Sequence, residues 1–128
     1  MTSLSQTDSE HQSEYTQKQE KKTEALDKYI NVVYEIYPTK HWRIFIKLNT
    51  RNGKMWLVQY SLEDDKSRFE VTLNSISLIS TYEEENGRFK LQPTENYYTF
   101  ILLDQINGKT WQVQWEFDIN KRFVIPIE

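Results

Sequence analysis

The sequence contains no cysteine, which excludes disulfide bridges, thiolate zinc sites and cysteine nucleophiles. It has three glycines, two of them in predicted hairpin turns, too few for a glycine-rich phosphate loop. The sequence has only two histidines, His11 and His41, the residue type most often used as a general base, and neither has an obvious partner in the sequence. We therefore predict no catalytic residue and a non-enzymatic protein.

Long apolar runs and a concentrated basic surface are also missing. No segment approaches the ~18 apolar residues of a membrane helix, and residues 1–7 lack the basic and apolar regions of a signal peptide. The lysines and arginines are dispersed and the net charge is −3, which disfavours a nucleic-acid partner. The acidic run at Glu63 lacks the ligand spacing of a calcium loop. We expect a cytoplasmic protein with no membrane contact, no metal and no cofactor.

The N-terminal part of the chain differs in character from the rest. Residues 1–12 are polar and predict a disordered tail. Residues 13–31 contain neither proline nor glycine and predict a helix. Its apolar stripe has helical spacing, at Leu26, Tyr29, Ile30 and Val33. Residues 32–128 are expected to form a single β domain.

An internal duplication dominates this second part. Residues 34–63 align with residues 89–118 at an offset of 55, and 11 of the 30 aligned positions are identical without a gap. A one-residue gap extends the repeats to 34–73 and 89–127. Such self-similarity marks a structural unit that is repeated in the fold.

Each copy predicts four strands. The first pair of equivalent strands ends at a Pro-Thr, and an Asn-Gly turn joins the second strand to the third, with positive φ expected at both turn residues. The strands predicted in the first copy are Tyr34–Tyr37, Trp42–Asn49, Lys54–Leu62 and Arg68–Leu73. Those in the second are Phe89–Gln92, Tyr97–Asp104, Lys109–Phe117 and Arg122–Ile127. The linker, residues 74–88, is expected to hold a short helix or turn.

Alternation along the strands predicts which side chains face the core. In the third strand we expect the aromatic side inward, at Trp56, Val58, Tyr60 and Leu62 and at Trp111, Val113, Trp115 and Phe117. In the second strand we expect the inward set Ile44, Ile46 and Leu48, matched by Thr99, Ile101 and Leu103. Phe45 and Phe100 then point outward, and their retention in both copies indicates that this face is covered, for example in an oligomer.

The predicted fold is mainly β, with two duplicated four-stranded antiparallel units and an N-terminal α-helix. A four-stranded unit cannot bury its face alone, so the copies should pack together. One arrangement is a sandwich or partly closed barrel about a pseudo-twofold axis. The alternative is a pair of propeller-like blades, and a closed propeller would then require several chains.

Candidate contact residues lie near the Pro-Thr corner and on the glutamine side of the third strand. They are Trp42, Tyr97, Tyr98, His41, Gln59 and Gln114. Exposed aromatics at the corner suit a sugar ring or a protein partner, although packing in the core is the commoner role for such residues. The two glutamines are repeated, which fits either ligand contacts or cross-strand hydrogen bonds.

The pattern Pro-Thr, Ile-x-Leu, Asn-Gly-Lys-x-Trp-x-Val-Gln resembles that of small uncharacterised bacterial two-repeat β proteins. The resemblance covers both copies and carries no activity. The function predicted from the residues is a protein-interaction or assembly module, with a protein partner or self-association. The alternative is a carbohydrate-binding protein with two pseudo-equivalent sites.

Overall fold

The computed structural model describes residues 13–19 and 32–128 of the chain. The chain divides into two units, residues 1–32 and 33–128. In the first unit, residues 13–19 form helix α1, within the predicted helix. The predicted tail, residues 1–12, and the rest of the predicted helix, residues 20–31, lie outside the described residues. None of the helices that the structure describes is long and apolar enough to cross a membrane.

The second unit contains two four-stranded antiparallel sheets, which confirms the predicted fold class. Sheet 1 consists of β1 (Tyr34–Pro38), β2 (Ile44–Asn49), β3 (Met55–Gln59) and β4 (Phe69–Asn74). Sheet 2 consists of β5 (Phe89–Pro93), β6 (Thr99–Asp104), β7 (Thr110–Gln114) and β8 (Phe123–Ile127). In each sheet the strands lie side by side in sequence order. The second and third strands of each copy are shorter than predicted, so Trp42 and Tyr60 belong to loops.

All three prolines occupy edge strands, where a missing backbone donor costs no ladder hydrogen bond. Pro38 and Pro93 end the equivalent edge strands β1 and β5, as the sequence predicted. Pro126 lies in β8, the opposite edge of sheet 2. The prolines therefore help to fix which strands lie outermost.

The Asn-Gly hairpins differ from the predicted two-residue turn. Gly53 and Gly108 have φ of 82° and 80°, and every residue with positive φ in the described ranges is a glycine. The prediction of positive φ at both turn residues is therefore wrong. The Gly53 N–H donates to the Asn49 carbonyl oxygen at 3.0 Å, and the Gly108 N–H to the Asp104 carbonyl oxygen at 2.9 Å. The loops thus span residues 50–53 and 105–108, and only the final glycine is left-handed.

The linker between the sheets contains the short helix that the sequence predicted, a 3-10 turn at Thr81–Glu83. Leu78 and Ile79 from the linker pack against the core. At its end, the Arg88 side chain forms a buried ion pair with Asp104, with 2.9 Å between Nε and Oδ2. The linker is thereby fastened to both sheets.

Strand register corrects the predicted faces in the first copy. Ile46 lies opposite Leu57, and Lys47 lies opposite Trp56, so Ile46 and Trp56 point to opposite faces of sheet 1. Sheet 1 buries the Ile46 side. Its buried apolar residues are Ile44, Ile46, Leu48, Met55, Leu57 and Leu73. The prediction is confirmed for β2 but is wrong for the third strand, where Trp56, Val58, Tyr60 and Leu62 do not belong to the buried face.

The second copy buries the opposite set of positions. Its buried apolar residues are Phe89, Leu91, Phe100, Leu102, Trp111, Val113 and Trp115. The predicted inward residues Trp111, Val113 and Trp115 are confirmed, whereas Phe117 is exposed. The predicted inward residues Thr99, Ile101 and Leu103 are instead only half-buried. Phe100 faces the core, so the expectation that it points outward is wrong.

The two sheets form one core by contacting each other through non-equivalent faces. Sheet 1 uses the face that carries Ile46, while sheet 2 uses the face that carries Phe100, the counterpart of Phe45. A pseudo-twofold contact would bury the same face of both copies. The predicted twofold arrangement is therefore wrong, and the copies pack head to tail.

Candidate interaction surface

The Pro-Thr corners are built in the same way in both copies. The Thr39 hydroxyl donates to the Ile44 carbonyl oxygen at 2.7 Å, and the Thr94 hydroxyl donates to the Thr99 carbonyl oxygen at 2.7 Å. The corner loops hold Trp42 and Tyr97, which are both exposed; the Trp42 side chain is 63% exposed. Each loop is therefore fixed by a threonine and presents one aromatic ring.

The exposed corner ring of each copy contacts a second aromatic ring. The ring centroids of Trp42 and Tyr60 are 5.8 Å apart, and those of Tyr97 and Trp115 are also 5.8 Å apart. Tyr98 packs partly buried against Trp115, with 4.9 Å between centroids. In this copy the aromatics therefore join the core, and Trp42 is the more accessible of the two corner rings.

His41 is enclosed by aromatic rings and backbone. Its ring lies parallel to that of Trp42, with 6.5 Å between centroids, and meets Phe117 edge-on at 5.3 Å. Its Nδ1 accepts a hydrogen bond from the Arg43 N–H at 3.2 Å. Among the described residues no carboxylate is hydrogen-bonded to His41, so the geometry provides no acid–base pair there.

Gln59 and Gln114 have equivalent structural hydrogen bonds. The Gln59 Nε2 donates to the Ser67 carbonyl oxygen at 2.9 Å, and the Gln114 Nε2 donates to the Lys121 carbonyl oxygen at 3.0 Å. Each amide therefore ties the third strand to the loop that leads into the fourth. These bonds account for the repeated glutamines without a ligand, and a ligand contact at either residue stays a prediction.

A depression of about 180 Å³ lies between the two corners. Pro38, Thr39 and Lys40 line it from one copy, and Thr94 and Tyr97 are among the residues that line it from the other. Pockets for drug-sized ligands usually measure about 300–1,000 Å³. This depression is too small to enclose such a ligand.

The outer face of sheet 1 carries exposed apolar side chains that no other described strand covers; from the sequence, only Phe45 of this face was expected to point outward. We call it the aromatic outer face, and it consists of Tyr34, Ile36, Phe45, Lys47, Trp56 and Val58. Tyr34 and Ile36 are 53% and 59% exposed, whereas their counterparts Phe89 and Leu91 are each 1% exposed. The same type of surface is thus open in the first copy and covered in the second.

One charged pair lies within the aromatic outer face. The Lys47 Nζ is 5.1 Å from the ring centroid of Trp56 and 5.8 Å from that of Tyr34. It also pairs with the Glu70 carboxylate at 2.8 Å. A cation over aromatic rings is stabilised by their electron-rich faces. The face therefore combines apolar rings with a neutralised charge, a composition that suits a protein interface.

The outer face of sheet 2 is more polar. We call it the mixed outer face, and it consists of Ile101, Leu103, Gln112, Gln114, Ile125 and Ile127. Ile125 and Ile127 are exposed. In sheet 1 the equivalents of these positions belong to the buried side. A sequence signal for this difference existed, because the buried residues Met55 and Leu57 are replaced by Thr110 and Gln112 in the second copy.

No site for a metal ion is apparent in residues 13–19 and 32–128, where no group of three or more histidine, aspartate or glutamate side chains is suitably placed. Comparison with protein-family models, with curated proteins and with solved structures finds no significant match.

Proposed function

We propose that the chain is a non-enzymatic assembly module that binds a protein surface through its aromatic outer face. The supporting observation is the contrast between equivalent residues: Tyr34 and Ile36 are open, while Phe89 and Leu91 are covered. Exposed clusters of large apolar and aromatic side chains commonly mark protein interaction sites. The face lies on regular strands, which makes it a rigid docking surface.

The absence of cysteine allows a direct test of this proposal. The Ile36→Cys variant carries a single thiol at the centre of edge strand β1, and the Tyr82→Cys variant carries one in the exposed linker turn. We expect the thiol in the first variant to react several-fold more slowly with a polar thiol reagent than the thiol in the second. The mass of the same samples is measured by light scattering.

Two outcomes would contradict the proposal. Equal reaction rates for the two variants would mean that the aromatic outer face stays open to solvent. Slow reaction in a sample of 15.5 kDa monomers would mean that residues of the same chain cover the face.

Carbohydrate binding at the corner is a second candidate function. The observation in its favour is the exposed Trp42 ring, which has the Arg43 guanidinium 5.3 Å from its centroid. An accessible aromatic ring beside a hydrogen-bond donor can stack on a sugar. A glycan array should then show binding that Trp42→Ala removes and Tyr82→Ala retains. An array without binding would exclude this function.

A further inference from the structure

We propose that the aromatic outer face binds the mixed outer face of a second copy of this chain, so that the copies stack head to tail. This inference rests on the proposed function and names its partner. Among the described residues, 13–19 and 32–128, the internal contact uses the other face of each sheet, which leaves one face of each type without a partner strand. A head-to-tail contact between copies would repeat that internal contact.

The internal contact is the template for the proposed one. Within the chain, the face of sheet 2 that carries Phe89, Leu91 and Trp111 is covered by sheet 1. The aromatic outer face has Tyr34, Ile36 and Trp56 at the equivalent positions. In the internal contact β4 approaches its equivalent strand β8, and β2 approaches β5, which is the counterpart of β1. The packing that buries one copy of this surface therefore suits the other.

Both faces of the proposed contact carry a polar residue where the internal core has a leucine. In the internal core Leu57 and Leu102 are both buried. Their equivalents on the free faces are Gln112 and Lys47, and both are polar. Apolar residues at both positions are thus replaced by polar ones, and the Lys47 ammonium, which also pairs with Glu70, can donate to an amide oxygen such as that of Gln112. Interfaces between chains that fold separately commonly contain polar side chains of this kind.

Head-to-tail contacts generate closed rings when the rotation closes and open filaments when it does not. Four-stranded antiparallel sheets that stack face to face around a closed ring form a β-propeller, which has about four to eight blades. Each chain supplies two such sheets. We therefore expect a ring of two, three or four chains, with each chain using both free faces.

The test uses one variant for each face of the full chain. Ile36→Glu places a charge on the aromatic outer face, and Ile125→Glu places one on the mixed outer face; both isoleucines are exposed and lie in edge strands. We expect each change to weaken association at least about thirtyfold, the loss typical of a hot-spot residue. Each variant alone should then have a mass of 15.5 kDa by light scattering.

A mixture of the two variants gives the decisive result. The mixed outer face of Ile36→Glu is intact, as is the aromatic outer face of Ile125→Glu, so we expect the mixture to form a dimer of twice 15.5 kDa. Tyr82→Glu serves as the control and should assemble like the unsubstituted chain. Monomers in the mixture, or an Ile125→Glu variant that assembles normally, would overturn the head-to-tail proposal. A slow thiol in an assembled Ile36→Cys sample would still support the assembly function in that case.

Discussion

At the scale of single residues, Gly53 and Gly108 hold the same place in the two hairpins but have different surroundings. Both need a left-handed backbone, with φ of +82° and +80°. A Cβ on Gly53 would lie 2.7 Å from the Leu78 Cδ1, whereas nothing lies within 4 Å of the same atom on Gly108. The difference arises because the linker crosses the first hairpin.

We predict that Gly53→Ala destabilises the chain more than Gly108→Ala does. The positive φ alone costs about 1–2 kcal/mol at either site. Only the first variant must also displace Leu78. Urea unfolding of both variants measures the two losses of free energy, and an equal or larger loss in Gly108→Ala would contradict the contact seen at Leu78.

The ionisation of Tyr37 should affect the stability of the fold. Burial raises the pKa of the Tyr37 phenol from 10.0 to about 12, and the hydrogen bond that it donates to Glu35 acts in the same direction. The folded state therefore holds this proton more tightly than the unfolded state. The resulting stabilisation is complete below pH 10 and is lost as the pH rises through about 12.

The prediction compares the unsubstituted chain with Tyr37→Phe, which cannot ionise at this position. The difference between their free energies of unfolding should be constant below pH 10. Between pH 10 and 12 the free energy of unfolding of the unsubstituted chain should fall relative to that of Tyr37→Phe. Urea titrations of both proteins at each pH provide the values, and a difference that does not change with pH would refute the raised pKa.

At the scale of the strands, most of the fold was predictable and the choice of face was not. The Asn-Gly pairs, the prolines and the alternation located all eight strands. The prediction of which face of β3 is buried was wrong. Trp56 and Leu57 are both apolar, so the alternation of side chains alone did not distinguish the two faces. Only the pairing of Lys47 with Trp56 decides it.

Exchanging residues between equivalent strands tests this assignment. Leu57→Gln copies the second repeat and buries an amide in the core, so we predict a loss of about 3 kcal/mol or more. Gln112→Leu copies the first repeat on the mixed outer face; in the Ile36→Glu background, which removes the proposed contact between copies, it should change the free energy of unfolding by less than about 0.5 kcal/mol. Thermal or urea unfolding measures both. Similar losses in the two variants would mean that the faces are assigned incorrectly.

At the scale of the whole chain, the candidate surface arises from how the copies are placed rather than from which residues they share. Tyr34 and Phe89 are similar side chains at equivalent positions, and neither residue by itself indicates which one is covered. Head-to-tail packing covers Phe89 and leaves Tyr34 open. The corner residues Trp42 and Tyr97, which the sequence did indicate, also differ in exposure. They differ because the two rings contact different neighbouring side chains.

The mass of the unsubstituted full chain in solution shows whether copies assemble through their two outer faces. Light scattering over a wide range of concentrations should give two, three or four times 15.5 kDa, because each free face needs its counterpart on another copy. A mass of 15.5 kDa at every concentration would contradict the account.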